Sequence, residues 1–447
     1  MSKRIYFESL GCSKNQIDAE VMMGLLQKNN YTITNEIELA EIAVVNTCGF
    51  IDSAKEESIQ HILATARYKE NQLKKLIVTG CLAERYKNDL MDEMPEIDAL
   101  LGTGRYEEIV ELIEETTQEV KTVRTGNINR AFNESVGRYR TTPDYMAYVK
   151  IADGCDNHCT YCIIPQLRGS YRSREIEAIL REVRELTASG VKEVVLIAQD
   201  TTAYGIDLYQ EFKLPTLLKE MEEIEELRWI RLLYCYPERI TDELIDVMKT
   251  SKKICRYLDI PIQHSEDSIL KKMNRSARND TILQLVEKLR REIPNIVLRT
   301  TLIVGFPGET EEDFQGLKNF VQEMQFDKLG VFEYSQEEGT PAAEMENQIE
   351  ASVKKSRKES VMQLQQRISA EIQQKHIGSI KHVLVEERLS ESENFHEYAG
   401  RTEQDAPEID GAVYFTSKNL IAPGEILPVK ITGALEYDLM GEAINET

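Results

Sequence analysis

The sequence predicts an α/β protein in three parts: an N-terminal parallel α/β domain, a partial (βα)6 barrel and a C-terminal OB-like β-barrel. The first two parts are predicted because strand and helix patterns alternate in both, with cysteine or polar residues just after the strands. The third is predicted because short strand patterns there alternate with Gly and Pro turns. A chain of 447 residues is long enough for several separate cores.

The N-terminal domain, residues 1–116, repeats a unit of one strand followed by one helix. Its strand patterns are Ile5–Leu10, Ile42–Asn46 and Leu76–Thr79, and one cysteine follows each: Cys12, Cys48 and Cys81. Because the carboxyl ends of parallel strands share one edge of a sheet, the three thiols are expected to converge. Metal ligation is therefore predicted, with a buried structural cysteine as the alternative for any single position. Residues 117–143 lose the alternation and are predicted to be a linker.

The partial barrel is predicted over residues 144–377. Its strand patterns are Ala147–Ile151, Glu193–Ala198, Trp229–Tyr234, Tyr257–Ile260, Ile296–Val304 and Lys328–Glu333. Six strands are fewer than the eight of a closed barrel, which leaves a lateral opening for a large substrate. A long amphipathic helix is predicted at the end of this part, over residues 353–376.

The C-terminal barrel is predicted over residues 378–447. Its strand patterns are Ile380–Glu386, His396–Thr402, Ala412–Phe415, Ile426–Gly433 and Tyr437–Ala443. Five short strands with Gly and Pro turns are typical of small OB-like barrels.

The composition limits the classes of partner. The chain has 54 Lys/Arg and 77 Asp/Glu, a net charge of −23, which disfavours broad contact with nucleic acid and suits a basic protein partner. An acidic total also has a simpler interpretation, solubility. The sequence shows no signal peptide and no run of about 18 apolar residues, so a cytoplasmic location without membrane contact is expected. Eight cysteines in such a chain indicate metal or redox chemistry rather than disulfides.

A cysteine loop after the first barrel strand is the strongest chemical signal. Cys155, Cys159 and Cys162 have the spacing C-x3-C-x2-C, which suits three corners of a four-iron cluster and leaves one iron without a protein ligand. A structural zinc site would need a fourth ligand. His158 lies between two of the ligands and is expected at the surface or behind them. The spacing resembles that of the radical S-adenosylmethionine (SAM) enzymes, in which the open iron binds the amino and carboxylate groups of SAM.

A cofactor pocket is predicted where three later barrel strands end. The candidate residues are Gln199, Gln263, Gly305, Phe306 and Pro307. Glycine would let a flat adenine approach the backbone, and the glutamine amides can hydrogen-bond the ribose or the methionyl group. Each segment alone also has an ordinary interpretation as a loop.

Three arginines and two further cysteines are predicted to have no direct part in the chemistry. Arg168, Arg172 and Arg174 follow the cysteine loop and are expected to be solvated surface residues. The alternative is that one of them binds a carboxylate of SAM or of a substrate. Cys235 is expected to be a packed free thiol and Cys255 a core residue.

Taken together, these segments make the chain resemble a methylthiotransferase of the radical SAM superfamily over nearly its whole length, with residues 378–447 as its TRAM domain. The resemblance implies that Cys155, Cys159 and Cys162 hold a SAM-cleaving 4Fe-4S cluster. It implies that Cys12, Cys48 and Cys81 hold an auxiliary 4Fe-4S cluster. SAM would serve as both methyl donor and radical source. A low-potential electron donor such as flavodoxin or ferredoxin would reduce the clusters.

The branch of the family decides the expected substrate. SLGCSKN (9–15), NTCGFID (46–52), QDTTAYG (199–205) and IPIQH (260–264) resemble the branch that modifies an aspartate β-carbon in small-subunit ribosomal protein S-twelve. Residues 381–447 contain five Lys/Arg and fourteen Asp/Glu, a net charge of −9, which would repel tRNA and attract a basic protein. tRNA is therefore an unlikely partner. The alternatives are a tRNA adenosine methylthiotransferase and a non-catalytic iron–sulfur or zinc RNA-associated module.

Overall fold

The structure is a computed structural model that describes residues 3–117, 119–391 and 395–444. Its N-terminal part contains a parallel sheet in the order β2-β1-β3-β4-β5-β6. The strands are β1 (Arg4–Ser9), β2 (Thr32–Thr34), β3 (Ile42–Thr47), β4 (Lys75–Gly80), β5 (Ala99–Leu101) and β6 (Thr122–Arg124). The helices are α1 (Ser13–Lys28), α2 (Asp52–Ala66), α3 (Cys81–Glu93) and α4 (Ile109–Glu115).

The three predicted N-terminal strands are confirmed as β1, β3 and β4, which pair side by side. The additional strands β2, β5 and β6 are each three residues long, too short to produce a periodic pattern. Strand β6 lies in the segment predicted as linker and pairs with β5, so this part of the segment belongs to the sheet.

The middle part is the predicted partial barrel, with parallel strands in the order β14-β13-β12-β11-β10-β7. The strands after β6 are β7 (Met146–Lys150), β8 (Ala152–Asp153), β9 (Arg172–Ser173), β10 (Glu193–Ile197), β11 (Trp229–Leu232), β12 (Ile254–Asp259), β13 (Val297–Val304) and β14 (Lys328–Glu333). Strands β8 and β9 form a separate two-stranded ribbon beside the cysteine loop. The barrel is open because its edge strands β7 and β14 are not hydrogen-bonded to each other in the described ranges.

Helices surround the barrel, and most of them bury an apolar face on it. They are α5 (Ile164–Arg168), α6 (Ile176–Ala188), α7 (Ile206–Tyr209), α8 (Leu214–Glu222), α9 (Asp242–Thr250), α10 (Asp267–Lys272), α11 (Asn279–Glu292), α12 (Glu311–Met324) and α13 (Ala351–Gln374). Helix α13 is the predicted long amphipathic helix, and it buries Val361, Leu364 and Ile368 in the barrel core. Among the described residues, no helix combines the length and apolar character needed to cross a membrane.

The C-terminal part is a closed barrel in the order β15-β16-β17-β19-β18, as predicted. Its strands are β15 (Ile380–Glu391), β16 (His396–Thr402), β17 (Val413–Ser417), β18 (Ile426–Ala434) and β19 (Leu439–Ala443). Tyr398 stacks on Phe415 at a centroid distance of 5.4 Å inside this barrel. Closure leaves no free sheet edge, which a five-stranded barrel of this size achieves by pairing β17 with β19.

A segment of the C-terminal barrel spans the lateral opening of the partial barrel. Asp405 pairs with Lys328 of β14 at 2.7 Å, and Glu408 accepts a hydrogen bond from Tyr148 of β7 at 3.2 Å. Asp410 accepts one from Tyr257 of β12 at 2.7 Å. The opening expected for a large substrate is therefore bridged on this side by residues 405–410.

A buried ion cluster also joins the two barrels: Glu193, Arg231 and Arg401. Arg231 Nε donates to Glu193 Oε1 at 2.8 Å, and Arg401 forms a second ion pair with Glu193. Burial opposes the charge on Glu193, but Arg401 and Arg231 outweigh burial and hold its pKa below the usual range. The carboxylate therefore stabilises the fold above its unfolded-state pKa, and this contribution is lost as the pH falls through the folded-state value.

Glu193→Gln is expected to destabilise the protein by about 3–5 kcal/mol at neutral pH, because it leaves the buried Arg231 without its anion and Arg401 with Glu386 alone. Urea unfolding at several pH values measures this effect, and the difference from wild type should shrink as the pH falls below about 4. Glu226→Gln, at an exposed position, is the control and should change little. Equal effects of both substitutions would contradict the assigned role of Glu193.

Candidate metal centres

The first cysteine centre lies at the carboxyl edge of the N-terminal sheet. Cys12 precedes helix α1, Cys48 follows β3, and Cys81 begins α3 directly after β4. Burial raises the pKa of Cys81 to about 12, with smaller contributions from the neighbouring Cys12 and Cys48 thiols. The mutual influence of the three thiols indicates that the fold brings them together, although 69 residues separate the outer two.

Two glycines allow this convergence. Gly11 has φ +88°, and a Cβ added there would lie 3.0 Å from Cβ of Cys48. A Cβ added at Gly49 would lie 2.9 Å from the carbonyl carbon of Cys81. Both contacts are closer than ordinary packing distances, so larger residues would push the three cysteine-bearing loops apart.

Arg168 lies beside this centre in a buried ion cluster, which we call the Arg168 cluster: Asp18, Lys150, Asp153 and Arg168. Arg168 Nη1 is 2.5 Å from Asp18 Oδ2 and 3.3 Å from Asp153 Oδ2, and Lys150 Nζ is 2.5 Å from Asp18 Oδ1. Nη2 of Arg168 is 3.8 Å from Sγ of Cys81. The surface interpretation of Arg168 is therefore wrong, because α1 and the cysteine loop together bury its guanidinium against two carboxylates.

The Arg168 cluster also reaches the second cysteine centre. Asp153 lies two residues before Cys155, and it accepts hydrogen bonds from the backbone N–H of Gly154 and from Gln199 Nε2. Burial opposes the charge on Asp153, but Lys150 and Arg168 outweigh burial and hold the pKa of its carboxyl well below the usual range. One charged network therefore contacts Cys81 of the first centre and the start of the second cysteine loop.

The second cysteine loop is fixed by hydrogen bonds to three separate segments. Cys155 N donates to Gly169 O at 3.0 Å, and Thr160 N donates to Met273 O at 3.1 Å. Asn157 Nδ2 lies 3.4 Å from Sγ of Cys155 and donates to Asp200 Oδ2 at 3.0 Å. Burial raises the pKa of the Cys155 thiol to about 11. In the iron-free protein this thiol keeps its proton at neutral pH, and a metal must displace that proton to bind.

Arg275 and Tyr236 stand beside Cys159 in this loop. Arg275 Nη1 and the Tyr236 hydroxyl are each 4.0 Å from Sγ of Cys159, and the guanidinium lies 4.2 Å from the Tyr236 ring centroid. Arg275 is buried, and its Nε has no hydrogen-bond partner in the described part of the chain. The sequence did not predict this position for Arg275. The residue lies 113 residues after Cys162, and nothing in its local sequence distinguishes it from a surface arginine.

The donor sets suit iron–sulfur clusters better than single ions. Within the described ranges, no three His, Cys, Asp or Glu side chains converge closely enough to hold one metal ion. A structural zinc needs four ligands around a single ion, whereas each thiolate of a four-iron cluster binds a different iron. His158 is exposed with φ +47°, so the expectation that it is not a ligand agrees with its position.

The predicted pocket residues have different surroundings. Gln199 is held by Asp153, and its Oε1 is buried without a partner among the described residues, so it can accept a hydrogen bond from a ligand. Gln263 has φ +74°, and its backbone N–H and C=O bond to β13. Pro307 is buried and lies in the same turn as Gly305 and Gly308.

Two of the predicted pocket residues are closely packed by neighbouring side chains. An added Cβ at Gly305 would lie 2.4 Å from Cγ of Lys354, a lysine of α13. Phe306 has no exposed surface and packs edge-on against Tyr334, with ring centroids 5.3 Å apart. The Phe306 side chain therefore supports the loop from beneath.

The two remaining arginines and the two remaining cysteines have structural roles. Arg174 is largely buried between Glu134 and Glu182, each 2.6 Å away, and half-buried Arg172 donates to backbone carbonyl groups. The surface interpretation is therefore wrong for Arg174 as well. Cys235 and Cys255 are buried free thiols, as expected.

Comparisons with known proteins cover the whole architecture. Three family models match: "Uncharacterized protein family UPF0004" at residues 4–102, the radical SAM superfamily at 149–321, and the TRAM domain at 377–444. A solved structure of the radical SAM methyltransferase TsrM from Kitasatospora setae aligns with a TM-score of 0.55 at 13% identity. It covers 86% of this chain and 81% of that chain. At this identity the likeness shows the fold alone.

Curated relatives are much more similar in sequence. The ribosomal protein uS12 methylthiotransferase RimO of Desulforamulus reducens is 53% identical over 97% of this chain and 98% of its own length. The RimO of Clostridioides difficile is 50% identical over 99% of both chains. The compared lengths extend across all three parts of the chain. The chain therefore belongs to the RimO family of radical SAM methylthiotransferases.

Proposed function

We propose that this protein adds a methylthio group to the β-carbon of an aspartate in ribosomal protein uS12. Identity of about half to relatives named as methylthiotransferases of ribosomal protein uS12, across all three parts of the chain, carries the proposal. The two cysteine centres supply the independent structural support. An aliphatic C–H bond is too weakly acidic for a side-chain base, so the reaction requires cofactors that supply radical chemistry.

We propose the following ligand sets. Cys155, Cys159 and Cys162 hold the 4Fe-4S cluster that binds SAM, and Cys12, Cys48 and Cys81 hold the auxiliary 4Fe-4S cluster. When bound, the clusters and SAM supply the radical and the methylthio group. The chain itself supplies thiolates and a buried cation beside each centre.

The neighbouring side chains orient the ligands. Asp200 holds Asn157 against Cys155, and Arg275 offsets negative charge at Cys159. Arg168 has the same role at Cys81. For SAM, we propose contacts from the buried free Oε1 of Gln199, from Gln263 and from the backbone at Gly305 and Pro307, with Phe306 as packing support.

The division of the chain follows from these roles. We propose residues 1–116 as the auxiliary-cluster domain, 117–143 as a connection, 144–377 as the radical SAM domain and 378–447 as the TRAM domain. The net charge of −9 over residues 381–447 favours a basic protein over tRNA at this last domain. We also propose a cytoplasmic location and a flavodoxin- or ferredoxin-type electron donor. Ribosomal proteins and such electron donors are both found in the cytoplasm.

The direct test is mass spectrometry of uS12 from a strain that lacks this protein. We expect the substrate aspartate to lose the mass of the methylthio group and to regain it when the wild-type chain is restored. Nucleosides of total tRNA from the same strain serve as the control and should keep their methylthio-adenosine. An unchanged uS12 mass together with loss of methylthio-adenosine would favour the tRNA alternative.

A further inference from the structure

A groove of 1290 Å³ lies between the partial barrel and the C-terminal barrel, away from both cysteine centres. Lys192, Arg228 and Ile296 each directly precede a barrel strand, so the groove is at the amino ends of the strands. The cysteine loop and Gln199 follow their strands and therefore lie at the opposite end. The groove is a separate surface from the proposed active site.

The groove is basic although the protein is acidic. Its lining includes six cationic side chains, and we call these residues the basic groove: Lys192, Arg228, Lys252, Arg256, Lys375 and Lys381. Three carboxylates also line it: Asp327, Glu403 and Glu425. Cations outnumber anions two to one here, in a chain whose net charge is −23.

The six cations lack carboxylate partners. None of them forms an ion pair with another described residue, whereas nearby Lys219 and Lys249 pair with Glu243 and Glu292 at 2.8 and 3.0 Å. Lys381 donates only to the neutral amide of Gln404, at 2.6 Å. The groove therefore combines six cations that form no ion pair in the described ranges with three carboxylates, a balance that favours an anionic ligand.

His376 lies in the electrostatic field of nearby lysines. This side chain lines the groove, and its pKa is lowered to about 4, first by burial and then by Lys381, with Lys328 and Lys375 adding to the effect. Asp405 opposes the shift but does not reverse it. Burial and the three nearby lysines therefore both disfavour the charged form of His376.

We propose that the basic groove binds the phosphate backbone of RNA without reading its sequence. Its cations come from three barrel loops, from β12, from the end of α13 and from the first strand of the C-terminal barrel, so they follow an extended ligand better than a single small anion. The lining has few aromatic side chains for base stacking, so the contact is with phosphates.

RNA is favoured over an acidic polypeptide by the proposed function, on which this step of the argument rests. A ribosomal protein is bound to RNA in the assembled subunit, so an RNA backbone lies close to the proposed substrate. Contact at the amino ends of the strands would hold the subunit while the cysteine centres at the other end remain free for uS12. The acidic C-terminal barrel would contact the basic protein, and the basic groove the RNA.

Fluorescence anisotropy with the anaerobically reconstituted full-length protein tests this proposal. The probe is a short labelled single-stranded RNA, titrated at several salt concentrations. Arg228→Ala combined with Lys252→Ala removes two exposed groove cations. We expect affinity about tenfold lower or weaker still, and a salt slope smaller by about 1.5 to 2. Lys219→Ala combined with Lys249→Ala removes the same charge outside the groove and should bind as wild type does.

The possible outcomes separate the proposal from its competitors. No binding of RNA at low salt, or equal loss in both double variants, would overturn it. Stronger binding of DNA of the same sequence, or equally effective competition by poly-glutamate per charge, would overturn the assignment to RNA. Methylthiolation of purified uS12 should be the same in all these variants, and its absence from the wild type would count against the proposed function and not against the groove.

Discussion

Cys155→Ala is expected to abolish release of deoxyadenosine from SAM, whereas Cys48→Ala should retain it and lose only methylthio transfer. Cys155 belongs to the loop proposed to hold the SAM-binding cluster, and a missing thiolate leaves that cluster with two protein ligands. Cys48 belongs to the centre at the edge of the N-terminal sheet, which is proposed to supply sulfur. Chromatography of deoxyadenosine and mass spectrometry of a uS12 peptide measure the two steps separately.

Two controls make this comparison decisive. Cys255→Ala removes a buried thiol that belongs to neither centre. This variant should retain both steps and an unchanged iron content. The iron content should fall by about half in Cys155→Ala and in Cys48→Ala, because each variant loses one of the two clusters. Equal loss of deoxyadenosine in Cys155→Ala and Cys48→Ala would contradict the assignment of separate tasks to the two centres.

Arg168→Gln is expected to destabilise the protein by about 3–5 kcal/mol, because Asp18 and Asp153 lose a shared cation in a buried site. Removal of a positive charge 3.8 Å from Sγ of Cys81 should also lower the reduction potential of the auxiliary cluster. Urea unfolding measures the first effect. A redox titration followed by electron paramagnetic resonance measures the second.

Arg172→Gln is the matched control for this substitution. Arg172 lies four residues away, and its guanidinium donates to carbonyl oxygens of Arg130, Arg168 and Ser170. Its loss should cost about 1 kcal/mol and leave the potential of the auxiliary cluster unchanged. Arg168→Lys keeps the charge and should restore most of the potential. An unaltered potential in Arg168→Gln would show that the guanidinium has only a structural role.

The cysteines and the main strands were accessible from sequence for simple reasons. Each main strand is at least four residues long, and most carry alternating or continuous apolar residues, so their patterns are readable without a structure. The loop at 155–162 is a local motif whose spacing is itself the signal. The convergence of Cys12, Cys48 and Cys81 followed from one rule about parallel strand ends.

The residues around the cysteines were less accessible. A surface position is predicted for Arg168 because most arginines are solvated, and a cofactor contact is predicted for Phe306 because its segment lies at the carboxyl end of a barrel strand. The structure buries Arg168 between α1 and the cysteine loop, and it fills the space at Gly305 with Lys354. Such outcomes depend on which elements pack together, and no local pattern encodes that choice.

The sequence by itself determined the fold class and both candidate cysteine sets, because these depend on strand–helix periodicity and on the spacing of cysteines after strands, whereas the chemistry was implied by the family resemblance. Only the tertiary structure decided where the charges lie. It places Arg168 and Arg275 beside separate cysteine centres and brings Lys192 into one groove with Lys381. A net charge is a sum over the whole chain, whereas an electrostatic field depends on distance, so an acidic sequence can fold to present a basic groove.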